Sequence, residues 1–295
     1  MIISLRQIAS LYAIGVFLFA VMDALAKFLS SGYPTTQIVF FRSLFGCLFL
    51  LAIVLTHRGE VARHASLSPG LFVRGLTVVA SLYLFFLSLR FLPLATATSL
   101  SLAAPLFMVV IGKVAIGEQV DNSRVASTAV GFGGVLLIVG VPGSSVFNPY
   151  SLIGIAAAFL YALSAAQSRK LSSRHAPLTI AFSTNVVMLV ASGISTVASW
   201  RSPPVGDLVI FLCMGVCGAT ANWIFSIAYQ RSRISTFAVL EYTILIWSGL
   251  FGYIFFDSVP RGLAIVGMAL IALSGIYSAM HRAAESKADN PTAVG

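Results

Sequence analysis

Among the charged side chains that interrupt the long apolar stretches of this chain, five could act on a solute: Asp23, Lys27, Arg42, Arg74 and Glu241. A charge near the middle of a membrane helix costs about 2.5 to 3.5 kcal/mol on insertion scales, so each must be paired, reach the interface or line a wet cavity. Asp23 and Lys27 are one helical turn apart and can pair along one face. Arg42, six residues after Thr36, is expected at a similar depth. Together the three make a gate or an anion-attracting vestibule; alternatively they are a self-satisfied network that fixes the first two helices. Arg74, about one turn into its stretch, either snorkels to the headgroups or presents a cation that favours carboxylates and phosphates. Glu241, beside Tyr242, is too short to snorkel. It is a candidate proton-coupling acid, or the partner of Arg74.

Polar and aromatic residues at mid-depth extend the set: Tyr83, Ser99, Ser101, Tyr161, Asn185, Asn222, Trp223 and Trp247. Aromatic faces with a few amides and hydroxyls suit a solute that is partly apolar and partly polar. The competing use of such residues is bonding between membrane helices. The candidate cavity set is therefore Arg74, Tyr83, Ser99, Asn185, Asn222, Trp223, Glu241 and Tyr242, with Asp23, Lys27 and Arg42 as gate. No metal or cofactor is expected. Cys47, Cys213 and Cys217 read as apolar packing residues, and His57, His64, His175 and His281 are scattered over loops and a terminus. The scatter also argues against a membrane enzyme acting on lipid, which would need clustered acid-base residues or ligands near one interface. A phosphate-binding loop of the Gly-x4-Gly-Lys-Ser/Thr kind is missing, so ATP hydrolysis is not expected.

These residues must be positioned by helices in a bilayer. Of the 295 residues, 58% are hydrophobic and 9% charged, too little polar surface for a soluble domain of this length. Ten apolar runs are long enough to span, at about 8–29, 36–56, 70–89, 94–116, 125–141, 151–168, 178–199, 206–229, 234–256 and 261–281. The expected fold is an all-α integral membrane protein, and a β-barrel is excluded because the runs do not alternate. The runs also repeat. Lys27, Pro34 and Arg42 return as Lys170, Pro177 and Asn185 at an offset of 143, while Gly75 and Tyr83 return as Gly215 and Trp223 at 140. A repeat with an odd number of spans sits upside down relative to its copy, which allows opening to either side in turn. The halves are 1–141 and 151–282, joined by a short uncharged loop, with a disordered cytoplasmic tail expected at 283–295.

The net charge of +9 could suggest nucleic acid, but the cations are dispersed through short loops. With a cytoplasmic N-terminus, eleven of eighteen cations lie in inner loops and tails, among them Arg58, Arg169, Arg174 and Arg282. Only Arg90, Arg201 and Arg261 lie outside. That bias places both termini in the cytoplasm.

Asp23 and Lys27, Phe41-Arg42, Arg74-Gly75, Leu92-Pro93-Leu94-Ala95-Thr96-Ala97, Pro105-Leu106, Gly117-Glu118 and Glu241-Tyr242 together resemble the ten-helix EamA-type carriers of the drug/metabolite transporter superfamily. Phe256-Asp257 stands where that family commonly has Gly-Glu. Asp23, Lys27, Arg42 and Arg74 look most like the branch of riboflavin and S-adenosylmethionine uptake carriers and organic-anion relatives. The resemblance implies a secondary transporter of a small organic metabolite in the bacterial inner membrane. It further implies a central cavity that excludes the fifth and tenth spans, which act as scaffold and can support a homodimer. Amino-acid and drug exporters of the same superfamily are the close alternative.

Overall fold

The computed structural model describes residues 5–56, 68–104, 106–108, 110–111, 122–139, 148–231, 243–257 and 262–288. Helix starts follow proline, whose missing N–H is harmless in a first turn. Pro34 precedes α2 (Thr35–Thr56), Pro69 opens α3 (Pro69–Phe91), Pro93 precedes α4 (Leu94–Ser101), and Pro149 precedes α6 (Tyr150–Leu171). Pro177 opens α7 (Pro177–Thr196) and Pro204 precedes α8 (Val205–Arg231). The remaining helices are α1 (Leu5–Leu29), α5 (Asn122–Val139), α9 (Ile244–Phe256) and α10 (Leu263–Ala288). A 3-10 turn, Val197–Ser199, extends α7.

Six helical stretches are long and apolar enough to cross a bilayer, in α1, α2, α3, α6, α7 and α8. Exposed Leu48, Phe72, Leu152 and Ile194 give them an apolar outer surface, while Gln37, Ser43, Ser88, Thr98 and Ser99 are fully buried. This inversion of the soluble pattern fits lipid as the surrounding solvent. Most buried hydroxyls turn back on their own helix: Ser99 Oγ donates to Ala95 O at 2.5 Å, and Thr184 Oγ1 to Ile180 O at 2.7 Å.

Two stretches differ from expectation. The continuous run 94–116 is broken, since α4 ends at Ser101 and Leu102-Ala103 form a turn. At the other end, α10 continues to Ala288, beyond the start expected for the tail. Residues 283–288 read Ala-Ala-Glu-Ser-Lys-Ala, mostly strong helix formers that prolong an established helix.

Helix packing repeats itself between the halves. α3 packs on α6 and α7, while α8 packs on α1 and α2; α4 meets α6, while α9 meets α1. The pairs α2–α7, α4–α9 and α5–α10 each join like to like. Glycine makes the closest of these contacts possible. A Cβ on Gly75 would lie 2.6 Å from Val187 Cβ on α7, and one on Gly215 would lie 2.7 Å from Phe45 Cβ and 3.0 Å from Arg42 O on α2. The two glycines that match at an offset of 140 thus do the same work in each half.

Candidate substrate cavity

A cavity of about 140 Å³ lies among α1, α2, α3, α6, α8, the start of α9 and the end of α4. Its walls are largely apolar, built from Phe19, Phe85, Tyr161, Phe225 and Ile244, with no lining residue from α5 or α10 among the described residues. Among the described residues three charged groups line it: Asp23, Arg42 and Arg74. All three are buried, at 2%, 3% and 4% exposure. Ser81, Ser101, Ser164, Ser168 and Asn222 add polarity. Ser101 and Leu102 bring the turn that ends α4 to the wall.

Arg74 does not snorkel. Its Nε donates to Ser168 Oγ at 2.6 Å and its Nη1 to Thr184 Oγ1, so one guanidinium ties α3 to α6 and α7. Arg42 is held differently, its Nε donating to Met22 Sδ at 3.2 Å and Nη1 to Met188 Sδ at 3.7 Å. Thioether sulfur is a weak acceptor. Room for this guanidinium comes from Gly218 on α8, where a Cβ would lie 2.7 Å from Met22 Sδ and 3.0 Å from both Arg42 Nε and Nη2. Asp23 stands close enough to Arg42 for their charges to attract, yet its buried Oδ1 has no hydrogen-bond partner among the described residues.

Lys27 leaves this group. Its Nζ donates to Leu89 O at 2.5 Å and to Leu92 O at 2.7 Å, capping the carbonyl end of α3 instead of bonding Asp23. Of the remaining expected residues, Ser101, Tyr161 and Asn222 line the cavity among the described residues. Tyr83 donates to or accepts from Ser195 Oγ at 2.7 Å, joining α3 to α7. Trp223 packs on Leu50, Leu178, Ala181 and Ala219, joining α8 to α2 and α7. The Tyr83/Trp223 correspondence therefore marks equivalent helix contacts, away from the cavity wall. Ser99 is spent on its own helix, and Asn185 donates to Ala181 O at 2.9 Å beside Gly46. Trp247 stacks edge-on against Phe17 at 4.9 Å. Glu241 and Tyr242 lie outside the described residues. Sequence reasoning left out Ser81, Ser164, Ser168 and Gly218; the signal it passed over was the i, i+4 spacing of Ser164 and Ser168 below Tyr161.

A polar tie joins the turn between α1 and α2 and the start of α2 to the segment that leads into α8. The buried side chain of Gln37 grips the main chain of Arg201, donating from Nε2 to Arg201 O at 2.5 Å and accepting from Arg201 N at 2.9 Å. Arg201 Nη1 donates to Gly32 O at 2.8 Å, and Tyr33 Oη donates to Asp207 Oδ2. Beneath them Phe41 stacks on Phe211 at 4.6 Å and meets Trp200 at 5.5 Å. Burial, then the hydrogen bond and charge of Asp207, push the Tyr33 phenol up to about 12.

The cavity thus combines a largely apolar wall with buried charges, and among the described residues no group of three or more His, Cys, Asp or Glu could hold a metal ion. The EamA-like transporter family model matches residues 7–140 and 148–279, and the chain belongs to that family. It is a transporter and not an enzyme. The chain is 29% identical over 266 residues to the pseudopaline exporter CntI of Pseudomonas aeruginosa PAO1, covering 88% of this chain and 91% of that one. It is 25% identical over 255 residues to the S-adenosylmethionine uptake transporter of Rickettsia bellii, covering 86% and 87%. A crystal structure at 20% identity superposes with a TM-score of 0.68 over 92% of this chain and 96% of the other, which extends the likeness to the fold.

Proposed function

We propose that the chain is a secondary carrier of a small organic metabolite in a bacterial inner membrane, working by alternating access between two inverted five-helix repeats, 1–141 and 151–282. The observation that carries this reading is the helix packing, which maps onto itself when the halves are exchanged. A two-fold relation between repeats of five spans requires opposite orientations in the bilayer, and the cavity lies between them. The tie at Gln37 and Arg201 is the external gate, shut, with both termini cytoplasmic as the cation bias indicates. α5 and α10 pack on each other outside the cavity and serve as scaffold, with the exposed strip at Ala129, Val130 and Leu136 free to meet a second copy.

The test is uptake. Purified protein in liposomes is incubated with an aqueous extract of bacterial metabolites, and the lumen is compared with protein-free liposomes by mass spectrometry. Enrichment of one or a few small solutes is expected; identical contents overturn the carrier reading. Reporter fusions at Gly32 should read external and at Arg174 cytoplasmic, and agreement of the two sides would remove the inversion.

A further inference from the structure

We infer that Ser168 and Thr184 are positioning residues of the carrier: they fix the Arg74 guanidinium in the orientation in which it meets the solute, and Thr184 does so from behind the cavity wall. This rests on the carrier reading and adds a residue to its site. The first observation is where the hydroxyl protons go. Ser168 Oγ donates to Ser164 O at 2.7 Å and Thr184 Oγ1 to Ile180 O at 2.7 Å, each one turn back on its own helix. A hydroxyl has a single proton, so both oxygens are left to Arg74 as acceptors alone. Arg74, which can only donate, gives Nε to Ser168 Oγ at 2.6 Å and Nη1 to Thr184 Oγ1. The direction of each of these bonds is therefore set before any solute arrives.

Nε and Nη1 are different arms of the guanidinium fork, and their acceptors stand on two helices, Ser168 on α6 and Thr184 on α7. One bond would let the plane of the fork turn about it. Two bonds on separate arms fix that plane, which is what directed recognition by arginine depends on. The second, independent observation is exposure. Arg74 and Ser168 line the cavity, whereas Thr184 is 1% exposed and is not among the lining residues. Gly75 brings Thr184 within reach: a Cβ there would lie 2.6 Å from Val187 Cβ, so the residue after Arg74 lets α3 close on α7 within one turn of Thr184. Without the hydroxyl, a buried Arg74 N–H would face apolar carbon, and the fork would swing toward other acceptors. A threonine that the solute does not touch, and whose acceptor is spent on a cavity-lining cation, acts on transport through that cation.

The experiment uses purified full-length protein in liposomes, with the aqueous extract of bacterial metabolites as probe. Initial uptake of each enriched solute is measured by mass spectrometry over a dilution series of the extract. Thr184→Val keeps the shape of the side chain and removes the acceptor. It should raise the apparent KM of the enriched solute roughly 3- to 10-fold, less than the roughly 10- to 100-fold of a charge-assisted bond lost directly, with little change in maximal rate. Thr184→Ser restores the hydroxyl and should return KM to that of the unsubstituted protein. A merely structural tie gives another pattern: a lower melting temperature or maximal rate with KM unchanged, or a loss that Thr184→Ser does not recover. Either overturns the assignment. Where Thr184→Val does not fold, Ser168→Ala, with Ser168→Thr as the restoring variant, decides by the same readouts. Enrichment by the unsubstituted protein with an identical KM in Thr184→Val sinks the positioning role and leaves the carrier reading standing, whereas no enrichment by the unsubstituted protein removes both.

Discussion

Gln37→Ala tests the gate most directly, because the Gln37 side chain makes both main-chain bonds to Arg201 and nothing else in the cavity. Arg201 is exposed, so water can replace the lost partners, and each bond is worth its net value of about 0.5 to 1.5 kcal/mol and not the full desolvation penalty. Two bonds give about 1 to 3 kcal/mol, which multiplies the open-to-closed ratio by roughly 5 to 150. The assay places a reporter cysteine at Ser81 on the cavity wall, in a chain whose three cysteines are replaced by alanine, and measures its reaction with a membrane-impermeant maleimide added outside cells. Gln37→Ala should raise the rate by that factor. Arg201→Ala is the control: it keeps the main-chain bonds, loses only the Nη1 bond to Gly32 O, and should raise the rate far less. An unchanged rate in Gln37→Ala with a melting temperature several degrees lower would show that the tie is a brace and not a gate.

Three further outcomes are expected. Gly215→Ala brings a Cβ within 3.1 Å of the Gly46 main-chain N as well as the Arg42 carbonyl, atoms that cannot rotate away, and should destabilise by about 1 to 3 kcal/mol; a monodisperse protein with unchanged melting temperature would refute the close-packing argument. Lys27→Met strands the Leu89 and Leu92 carbonyls and should lower the melting temperature without altering which solutes bind, whereas a changed solute preference would return Lys27 to the binding site. The Tyr33 phenol, raised from 10 to about 12, contributes stability that is complete below pH 10 and lost as pH rises through 12. The melting-temperature advantage of the unsubstituted protein over Tyr33→Phe should therefore be flat below pH 10 and vanish above 12.

Composition and the length of the apolar runs were sufficient for the membrane fold and for nearly every helix start, because insertion energy is summed over some twenty residues and tolerates local error. The offset that joins Gly75 to Gly215 was likewise readable, since close helix approach demands a residue without a side chain. Buried charge was readable too: Asp23, Arg42 and Arg74 stand out in any apolar run, and all three reach the cavity. What each charge touches was not. Lys27 is one turn from Asp23 in sequence, yet its four-carbon stem carries the ammonium to carbonyls more than sixty residues away, a contact that exists only once α3 ends beside α1. Tyr83, Trp223, Ser99 and Asn185 have the chemistry of cavity residues, but a helix presents one face to the cavity and the others to its neighbours, and a packing period of 3.6 residues does not say which neighbour. The grip of Gln37 on Arg201 joins residues 164 apart through a main chain that carries no sequence signature. Such contacts depend on how the two halves dock, and so the tertiary structure alone decides which polar residues face a solute and which hold helices together.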